Sequence, residues 1–332
     1  MSDEGVELLA GLDRLAVMGL VEVVRHVGFF RRLLATVVRL LESGEVDLVL
    51  AVDYPGFNLR VARAAHRLGV PVLYYVSPKV WAWKPWRARH LAEHTRHVAV
   101  ILPFERAVLE AAGVRSSFVG HPLLERGREV PTRDRFCAAT GLDPDRPILA
   151  LLPGSRRQEV ERHLEIFARA AGEVRRVRPD VQPVLGRAAT IPEAWLASAG
   201  LPMTTEVRSL LRHSRAGLVK SGTSTLEAAL EGTPIVVAYR THPLTAVLAR
   251  HLIRVPHVAL PNLVAGREVV PELLQDAATP EALAAAVLPL LGETPARARQ
   301  LEELAGVRGA LGTAGASARV AALAADLLGA RA

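Results

Sequence analysis

The chain has 332 residues, half of them apolar and 23% charged, as expected for a globular protein of about two domains. Its single cysteine, Cys137, excludes an intramolecular disulfide and a cysteine-based metal cluster. No apolar run reaches the ~20 residues of a transmembrane helix and no signal peptide opens the chain, so we expect a cytoplasmic protein.

The formal net charge is +7 and is carried mainly by arginine. Such a charge favours anionic partners, which include nucleic acid, an anionic lipid surface and phosphate-bearing small molecules. The sequence contains no RNA- or DNA-binding signature, so we expect no nucleic-acid partner. Arginine used simply as a surface residue is the alternative explanation of the charge.

Residues 17–41 form an apolar stretch that carries several arginines, and Gly28-Phe29-Phe30 interrupts it. We predict a pair of helices here. Exposed apolar side chains beside arginine are typical of a protein that rests on an anionic lipid surface. A helix that faces the core and is basic on its outer side fits the pattern equally well.

Short apolar runs rich in β-forming residues then alternate with amphipathic stretches, a pattern that predicts parallel strands joined by helices. The predicted strands of this first half are Leu48 to Val52, Val72 to Val76, Val98 to Leu102 and Ser117 to Val119, with helices at Leu59 to Leu68 and Glu105 to Ala112.

Residues 124–147 break the rhythm and predict a linker with one helix, after which the α/β pattern restarts. The second half has predicted strands at Ile148 to Leu152, Gln182 to Leu185, Ala216 to Lys220 and Pro234 to Ala238, with helices at Glu159 to Val177 and through most of 280–328. Two α/β halves imply a cleft, and ligands of open parallel sheets bind beyond the carboxyl ends of the strands.

Two turns of small residues follow predicted strands of the second half. Gly154, Ser155 and Arg156 come after the first strand, where a close backbone approach, helix amides and a guanidinium suit phosphate oxygens. Ser221-Gly222-Thr223 follows the third predicted strand of this half. Glu227 lies one helical turn further, where its carboxylate could accept hydrogen bonds from the hydroxyls of a ribose. Either turn could instead serve only to cap a helix.

Two further segments follow strands of the first half. Asp53 comes directly after a buried strand and could deprotonate an acceptor hydroxyl, or it could cap the following turn. Trp81 and Trp83 lie in a segment of tryptophans and cations that could receive an amphipathic phosphorylated molecule, or pack its indoles inward.

Asn262 and Gln275 flank an apolar run near the end of the second half, where their amides could bind a ligand or the nearby backbone. No His, Asp or Glu spacing is that of a metal site, and no Ser, His and Asp order is that of a hydrolase.

Taken together and in this order, several segments of the sequence resemble those of the lipid-A-disaccharide synthase family. The matching segments are Leu15-Ala16-Val17-Met18-Gly19, Asp53 to Leu59, Val76 to Trp83, Val119-Gly120-His121-Pro122-Leu123, Leu152 to Arg156, Ser221 to Glu227 and Leu260 to Glu268.

The resemblance implies an α/β protein of the GT-B fold, with two Rossmann-like domains that face a cleft and a last helix that crosses back to the first domain. It implies transfer from UDP-2,3-diacylglucosamine to 2,3-diacylglucosamine 1-phosphate (lipid X), giving a β-1,6-linked disaccharide 1-phosphate and UDP. No cofactor and no metal are expected, because arginine and helix termini would balance the diphosphate.

Matched to the family position by position, Asp53 is the candidate general base and Arg156 the phosphate-binding arginine. The other donor-binding candidates are Gly154, Ser155, Ser221, Gly222, Thr223, Glu227, Asn262 and Gln275. The candidates on the acceptor and membrane side are Met18, Val21, Val24, Arg25, Trp81 and Trp83. They imply a peripheral protein on the inner face of the cytoplasmic membrane. The oligomeric state is left open, and a homodimer is one possibility.

We predict an acceptor-binding domain over 1–140, a donor-binding domain over 141–305 and a helix over 306–332 that packs on the first domain. The resemblance begins after the family's first strand, its Gly-Glu-Ala-Ser-Gly-Asp loop and a helix, so we expect the first domain to be incomplete. Other GT-B enzymes, a MurG-like transferase or a UDP-sugar epimerase, remain alternatives, as does an inactive UDP-sugar-binding remnant.

Overall fold

The computed structural model describes residues 5–11, 20–82, 86–125, 127, 129–242 and 256–329, with side chains from residue 27 onward in the first helix. Two compact units make up the chain: unit 1 comprises residues 1–120 and 315–332, and unit 2 comprises residues 121–314. Among the described helices, none is both long and apolar enough to cross a membrane.

Unit 1 is built on a parallel sheet in the order β1-β2-β3-β4. Its strands are β1 (Val49–Val52), β2 (Val72–Tyr75), β3 (His97–Val100) and β4 (Ser116–Phe118). Its helices are α1 (Leu20–Glu42), α2 (Pro55–Arg67), α3 (Trp86–His94), α4 (Glu105–Glu110) and, near the chain end, α12 (Ala316–Gly329). The sheet order follows the chain order, so all four carboxyl ends lie at one edge of the sheet.

The predicted break of the first helix at Gly28-Phe29-Phe30 is wrong, because α1 continues through these residues. A glycine inside a helix costs only about 1 kcal/mol relative to alanine. Packing offsets this cost, since the ring of Phe30 lies 6.0 Å from that of Tyr54 and 6.2 Å from that of Phe57.

Helix α12 packs on the sheet of unit 1, as the sequence predicted for the last helix. Its buried residues Ala316 and Val320 join a cluster with Leu73, Ala99 and Val119. The return of the chain end therefore completes the core of the first unit.

Unit 2 contains a six-stranded parallel sheet in the order β10-β9-β8-β5-β6-β7. Its strands are β5 (Ile148–Leu152), β6 (Gln182–Gly186), β7 (Met203–Thr204), β8 (Ala216–Lys220), β9 (Ile235–Tyr239) and β10 (Glu272–Leu274). Its helices are α5 (Arg133–Thr140), α6 (Arg157–Val177), α7 (Val207–His213), α8 (Thr223–Glu231), α9 (Leu260–Ala265), α10 (Pro280–Val287) and α11 (Pro295–Ala310).

The boundary between the units lies at Gly120, whereas the sequence placed a domain boundary at 140. Helix α5 belongs to unit 2 because Arg133 donates hydrogen bonds to the carbonyls of Pro144, Arg146 and His213. The chain returns to unit 1 at Gly315 rather than at 306, because α11 packs against α8 and α9 of unit 2.

Strand order reverses in unit 2 between β5 and β8. The chain proceeds from β5 to β6 and β7 on one side, and then returns to place β8, β9 and β10 on the other. Such a reversal is the topological switch point at which open α/β sheets bind ligands. The loops that follow β5 and β8 are therefore neighbours at the carboxyl edge.

Replacing Val320 with alanine tests the docking of α12. The change removes two buried methyl groups, so we expect unit 1 to lose about 2 kcal/mol of unfolding free energy. Urea denaturation in a Trp195→Phe background measures this loss, because the remaining tryptophans, all within residues 81–86, then report on unit 1.

Leu328→Ala is the control, since Leu328 lies on the same helix with 41% of its surface exposed. We expect this variant to change the unfolding free energy by less than about 0.5 kcal/mol. Equal losses in the two variants would contradict the docking of α12 through Val320.

Candidate functional site

The loop after β5 requires glycine at position 154. Gly154 has a positive φ of 133°, and a Cβ atom there would lie 2.4 Å from Cβ of Glu159. Arg156 then takes an extended conformation as the N-cap of α6, with 55% of its side chain exposed. The loop thus brings its backbone close to the first turn of α6 and presents a guanidinium beside it.

Glu159 joins this loop to the end of β8. Its carboxylate accepts hydrogen bonds from the backbone N–H of Ser155 (3.0 Å), from Arg156 (3.1 Å) and from Nζ of Lys220 (2.7 Å). Burial opposes ionisation of Glu159, but Lys220, the N–H of Ser155 and the charge of Arg156 together outweigh burial and hold the pKa below its ordinary value.

The loop after β8 opens helix α8 with Gly222 as its N-cap. The first backbone N–H groups of a helix have no acceptor within the helix and attract anions, and here these are the N–H groups of Thr223 and Ser224. The Ser221 hydroxyl donates to the carbonyl of Val258 at 2.8 Å, and its backbone N–H donates to the carbonyl of Ala238 at 3.0 Å. Glu227 is half-buried one turn further along α8.

Asn262 is fully buried, and its side-chain amide is hydrogen-bonded within the protein. Its Oδ1 accepts from the N–H groups of Val269 (2.7 Å) and Val270 (2.9 Å), while its Nδ2 donates to the Val270 carbonyl (2.9 Å) and to Glu272 (2.7 Å). Glu272 also accepts from the N–H groups of Val258 and Ala259. Asn262 therefore holds backbone in place, which was the alternative interpretation of this residue.

Gln275 follows β10 in a left-handed conformation with φ of 50°. Its carbonyl accepts from Nε of Arg240 at 3.1 Å, and its Oε1 accepts from the N–H of Thr241 at 3.3 Å. Its Nε2 makes no hydrogen bond to the part of the chain that the structure describes.

His163 links α6 to the residue after β9. Its Nδ1–H donates to the Glu159 carbonyl at 2.7 Å, and its Nε2 accepts from the N–H of Arg240 at 2.9 Å. Burial lowers the pKa of His163 to about 4, so the ring is neutral at pH 7. The Nε2–H tautomer is excluded because Nε2 must accept, and the ring fixes the spacing between the two elements.

Asp53 lies exposed in unit 1, at the carboxyl end of β1. Asp53 and Tyr54 have φ values of 46° and 43°, and Val76 after the neighbouring strand has a φ of 63°. Such conformations cost about 1–3 kcal/mol each in residues other than glycine, and they cluster at functional sites.

Two side chains hold Asp53 in this conformation. Nδ2 of Asn58 donates to the carbonyls of Val52 (2.9 Å) and Asp53 (2.8 Å), and the Tyr74 hydroxyl donates to the Asp53 carbonyl at 2.6 Å. Burial and then the Asp53 carboxylate raise the pKa of Tyr74, which keeps this donor protonated. These hydrogen bonds fix the backbone at Asp53, and the backbone conformation sets the direction in which its side chain leaves the loop.

Trp81 packs at the same edge of unit 1. Its Nε1–H donates to Glu105 at 3.0 Å, and Ser77 and the N–H of Leu102 also donate to this carboxylate. Burial raises the pKa of Glu105 despite these donors. Half-buried Trp81 therefore anchors its segment to the start of α4.

The structure brings the Gly154–Arg156 and Ser221–Thr223 turns together in unit 2, with Gln275 following another strand of the same sheet. Asp53 and Trp81 lie in unit 1. Met18 and Trp83 fall outside the described residues, as do the side chains of Val21, Val24 and Arg25 on α1.

Sequence reasoning missed Glu159, Lys220 and His163. Glu159 lies three residues after the N-cap Arg156, the capping-box spacing, and this signal could have drawn attention to it. Only three of the 41 lysine and arginine residues are lysine, and one of them, Lys220, lies directly before the Ser221 turn. This rarity could have identified Lys220 as a residue to examine. Nothing in the sequence identified His163, because its partners depend on the packing of α6 against β9.

The family model of lipid-A-disaccharide synthetase matches residues 1–319. The chain belongs to this family. It is 40% identical over 336 residues to the lipid-A-disaccharide synthase of Geobacter sulfurreducens, covering 99% of this chain and 88% of that one. It is 42% identical to the synthase of Syntrophus aciditrophicus, covering 98% and 87%. The predicted family and enzyme class are confirmed.

Solved structures confirm the GT-B fold. The calicheamicin glycosyltransferase CalG4 matches with a TM-score of 0.55 at 20% identity, covering 95% of this chain and 82% of that one. The UDP-GlcNAc 2-epimerase of Neisseria meningitidis, solved with UDP-GlcNAc, matches with a TM-score of 0.58 at 12% identity, covering 93% and 82%. These likenesses concern the fold alone.

A neutral buried His163 makes stability depend on pH. An unfolded histidine has a pKa near 6.5, so on acidification the unfolded chain binds a proton that the native chain resists. Between pH 7 and pH 5 the wild type should lose about 2 kcal/mol more unfolding free energy than His163→Gln, measured by urea denaturation. Equal losses in the two proteins would show that His163 titrates normally in the native state.

Proposed function

We propose that this protein transfers the diacylglucosamine group of UDP-2,3-diacylglucosamine to the sugar hydroxyl of 2,3-diacylglucosamine 1-phosphate and releases UDP. One observation carries the proposal: in a chain of this family, the switch point of unit 2 places two helix N-termini and an exposed arginine side by side.

The turns after β5 and β8 suit the diphosphate of the donor. The N–H groups at the starts of α6 and α8 and the positive ends of both helix dipoles lie at the same edge of the sheet. Arg156 adds a forked cation that matches two phosphate oxygens.

Glu227 and Gln275 are the proposed contacts of the nucleoside. The half-buried side chain of Glu227 lies one helical turn, about 5.4 Å, from the start of α8, where its carboxylate would accept hydrogen bonds from the ribose hydroxyls. Gln275 presents its amide from the end of β10. For Asn262 we propose an indirect role, because its side chain holds the backbone of Val269 and Val270, which follow α9.

Asp53 is the proposed general base of unit 1. Its carboxylate would take the proton of the acceptor hydroxyl as the oxygen bonds to the anomeric carbon of the donor. As this bond forms, the bond from the anomeric carbon to the diphosphate breaks, and UDP leaves with the electron pair. The strained, doubly held backbone at Asp53 supports the role, because such strain persists where a side chain must be aimed.

Lipid-bearing substrates support a peripheral position on the inner face of the cytoplasmic membrane. Helix α1 carries Arg31, Arg32 and Arg39, and Val27 and Leu40 on it are exposed. Exposed apolar residues beside arginine suit an anionic lipid surface. We propose that unit 1 receives the acceptor from this surface.

The substitution Asp53→Asn tests the proposed general base. Asparagine tolerates the left-handed backbone at this position, so the variant should fold, but it cannot accept the proton. We expect turnover to fall about 10²- to 10⁴-fold while UDP affinity is unchanged. Transfer of radiolabelled acceptor in detergent micelles measures the first quantity, and titration calorimetry with UDP measures the second.

Glu45→Gln is the matched control, because Glu45 is an exposed carboxylate near the other end of β1. This variant should retain wild-type turnover. Full activity of Asp53→Asn would remove Asp53 from the reaction. Formation of an epimer from UDP-GlcNAc, with no transfer to the acceptor, would favour an epimerase instead.

A further inference from the structure

Lys220 holds an unusual position for a cation. Its side chain is 13% exposed at the end of β8, and its Nζ lies 5.6 Å from the centre of the Tyr239 ring. A Cβ atom on Gly222 would lie only 3.5 Å from this Nζ. The ammonium group therefore lies beside the N-cap of α8.

A cation at a helix N-terminus is electrostatically unfavourable, because the helix dipole is positive there. Lys220 faces the start of α8 and is paired with a carboxylate in the first turn of α6. A buried cation needs an anion beside it, and in this structure Glu159 supplies that anion at 2.7 Å. Both cations at this edge of the sheet, Arg156 and Lys220, therefore pair with the carboxylate of Glu159.

Glu159 binds the groups that a phosphate would use. The N–H of Ser155, the Arg156 guanidinium and the Lys220 ammonium all donate to its two oxygens. A capping role explains the bond from Ser155, since carboxylates are favoured in the first turn of a helix. It does not explain Lys220, which comes from a different strand 61 residues away.

The choice of lysine adds to this argument. Arginine makes up 38 of the 41 lysine and arginine residues of the chain, yet position 220 is lysine. A compact ammonium on a flexible stem can exchange one oxygen partner for another in a confined space, whereas a planar guanidinium needs more room.

We propose that Lys220 is a second cationic contact for the donor's diphosphate, and that the Glu159 carboxylate occupies the place of a phosphate until the nucleotide binds. This inference rests on the proposed function and adds two residues to the donor site. The nucleotide displaces the carboxylate from Lys220 and Arg156, so Glu159 competes with a nucleoside diphosphate for the same donors. When UDP leaves, Glu159 again neutralises the two cations.

The test measures the affinity of the full-length chain for UDP and for uridine by titration calorimetry. Lys220→Met keeps an apolar stem against Tyr239 and removes the charge. We expect it to weaken UDP binding about 10- to 100-fold and to leave uridine binding unchanged. Glu159→Gln removes the competing charge, and we expect it to strengthen UDP binding about 3- to 10-fold.

Two matched controls accompany these variants, with circular dichroism to verify folding. Glu161→Gln removes an exposed carboxylate that pairs with Arg157 at 2.7 Å on the same helix. Arg176→Ala removes an exposed cation that pairs with Glu173 at 2.9 Å. Neither should alter UDP affinity. Opposite shifts from Lys220→Met and Glu159→Gln would support exchange, because loss of structure alone would weaken binding in both.

Three results would overturn the inference. Weaker UDP binding by Glu159→Gln would mean that Glu159 only holds the site in shape. Unchanged UDP binding by Lys220→Met, with weaker binding by Arg156→Ala, would leave the proposed function intact and assign Lys220 to the fold. Absence of UDP binding by the wild type would reject both the inference and the proposed function.

Discussion

The ion pair between Glu159 and Lys220 is the interaction on which the donor side of this protein depends. It connects the start of α6 with the end of β8, the two elements that meet where the strand order of unit 2 reverses. Without it, the Lys220 ammonium would lie beside the N-cap of α8 without the carboxylate of Glu159, although the helix dipole is positive there. We propose that an incoming diphosphate takes the place of this carboxylate.

In unit 1 the candidate residue is held by a strained backbone conformation rather than by an ion pair. Asp53 is exposed and its side chain is directed by left-handed backbone that Asn58 and Tyr74 hold. As the proposed general base, a carboxylate held in this way would receive a proton without reorganisation of the loop, which would lower the barrier of the proton transfer. We propose that unit 2 binds the nucleotide and that unit 1 supplies the base, which divides the chemistry between the two units.

Sequence patterns predicted β2, β3, β5, β6, β8 and β9 because their apolar runs are largely buried. The prediction that the first strand is buried is wrong, because Leu50 and Val52 of β1 are exposed. The bounds of β5 and β8 agree with the prediction, whereas β7 and β10, which have two and three residues, were not predicted. Such short strands at or near a sheet edge contain too few residues for a periodic pattern. The continuous helix α1 was missed because its glycine is compensated by packing of Phe30 on α2.

For the site, glycine-rich turns after strands could be read from the sequence, since any chain needs small residues where backbone approaches a ligand. The partners of these turns could not, because the pairing of β5 with β8 brings Glu159 to Lys220. Likewise the neutral form of His163 follows from two backbone partners that only the fold places together.

A crystal structure of the chain with UDP would locate the diphosphate. We expect its phosphate oxygens at about 2.7–3.2 Å from Arg156 and from the N–H of Thr223, between the loops that follow β5 and β8. UDP bound in unit 1, or bound in unit 2 with its phosphates away from both loops, would contradict this expectation.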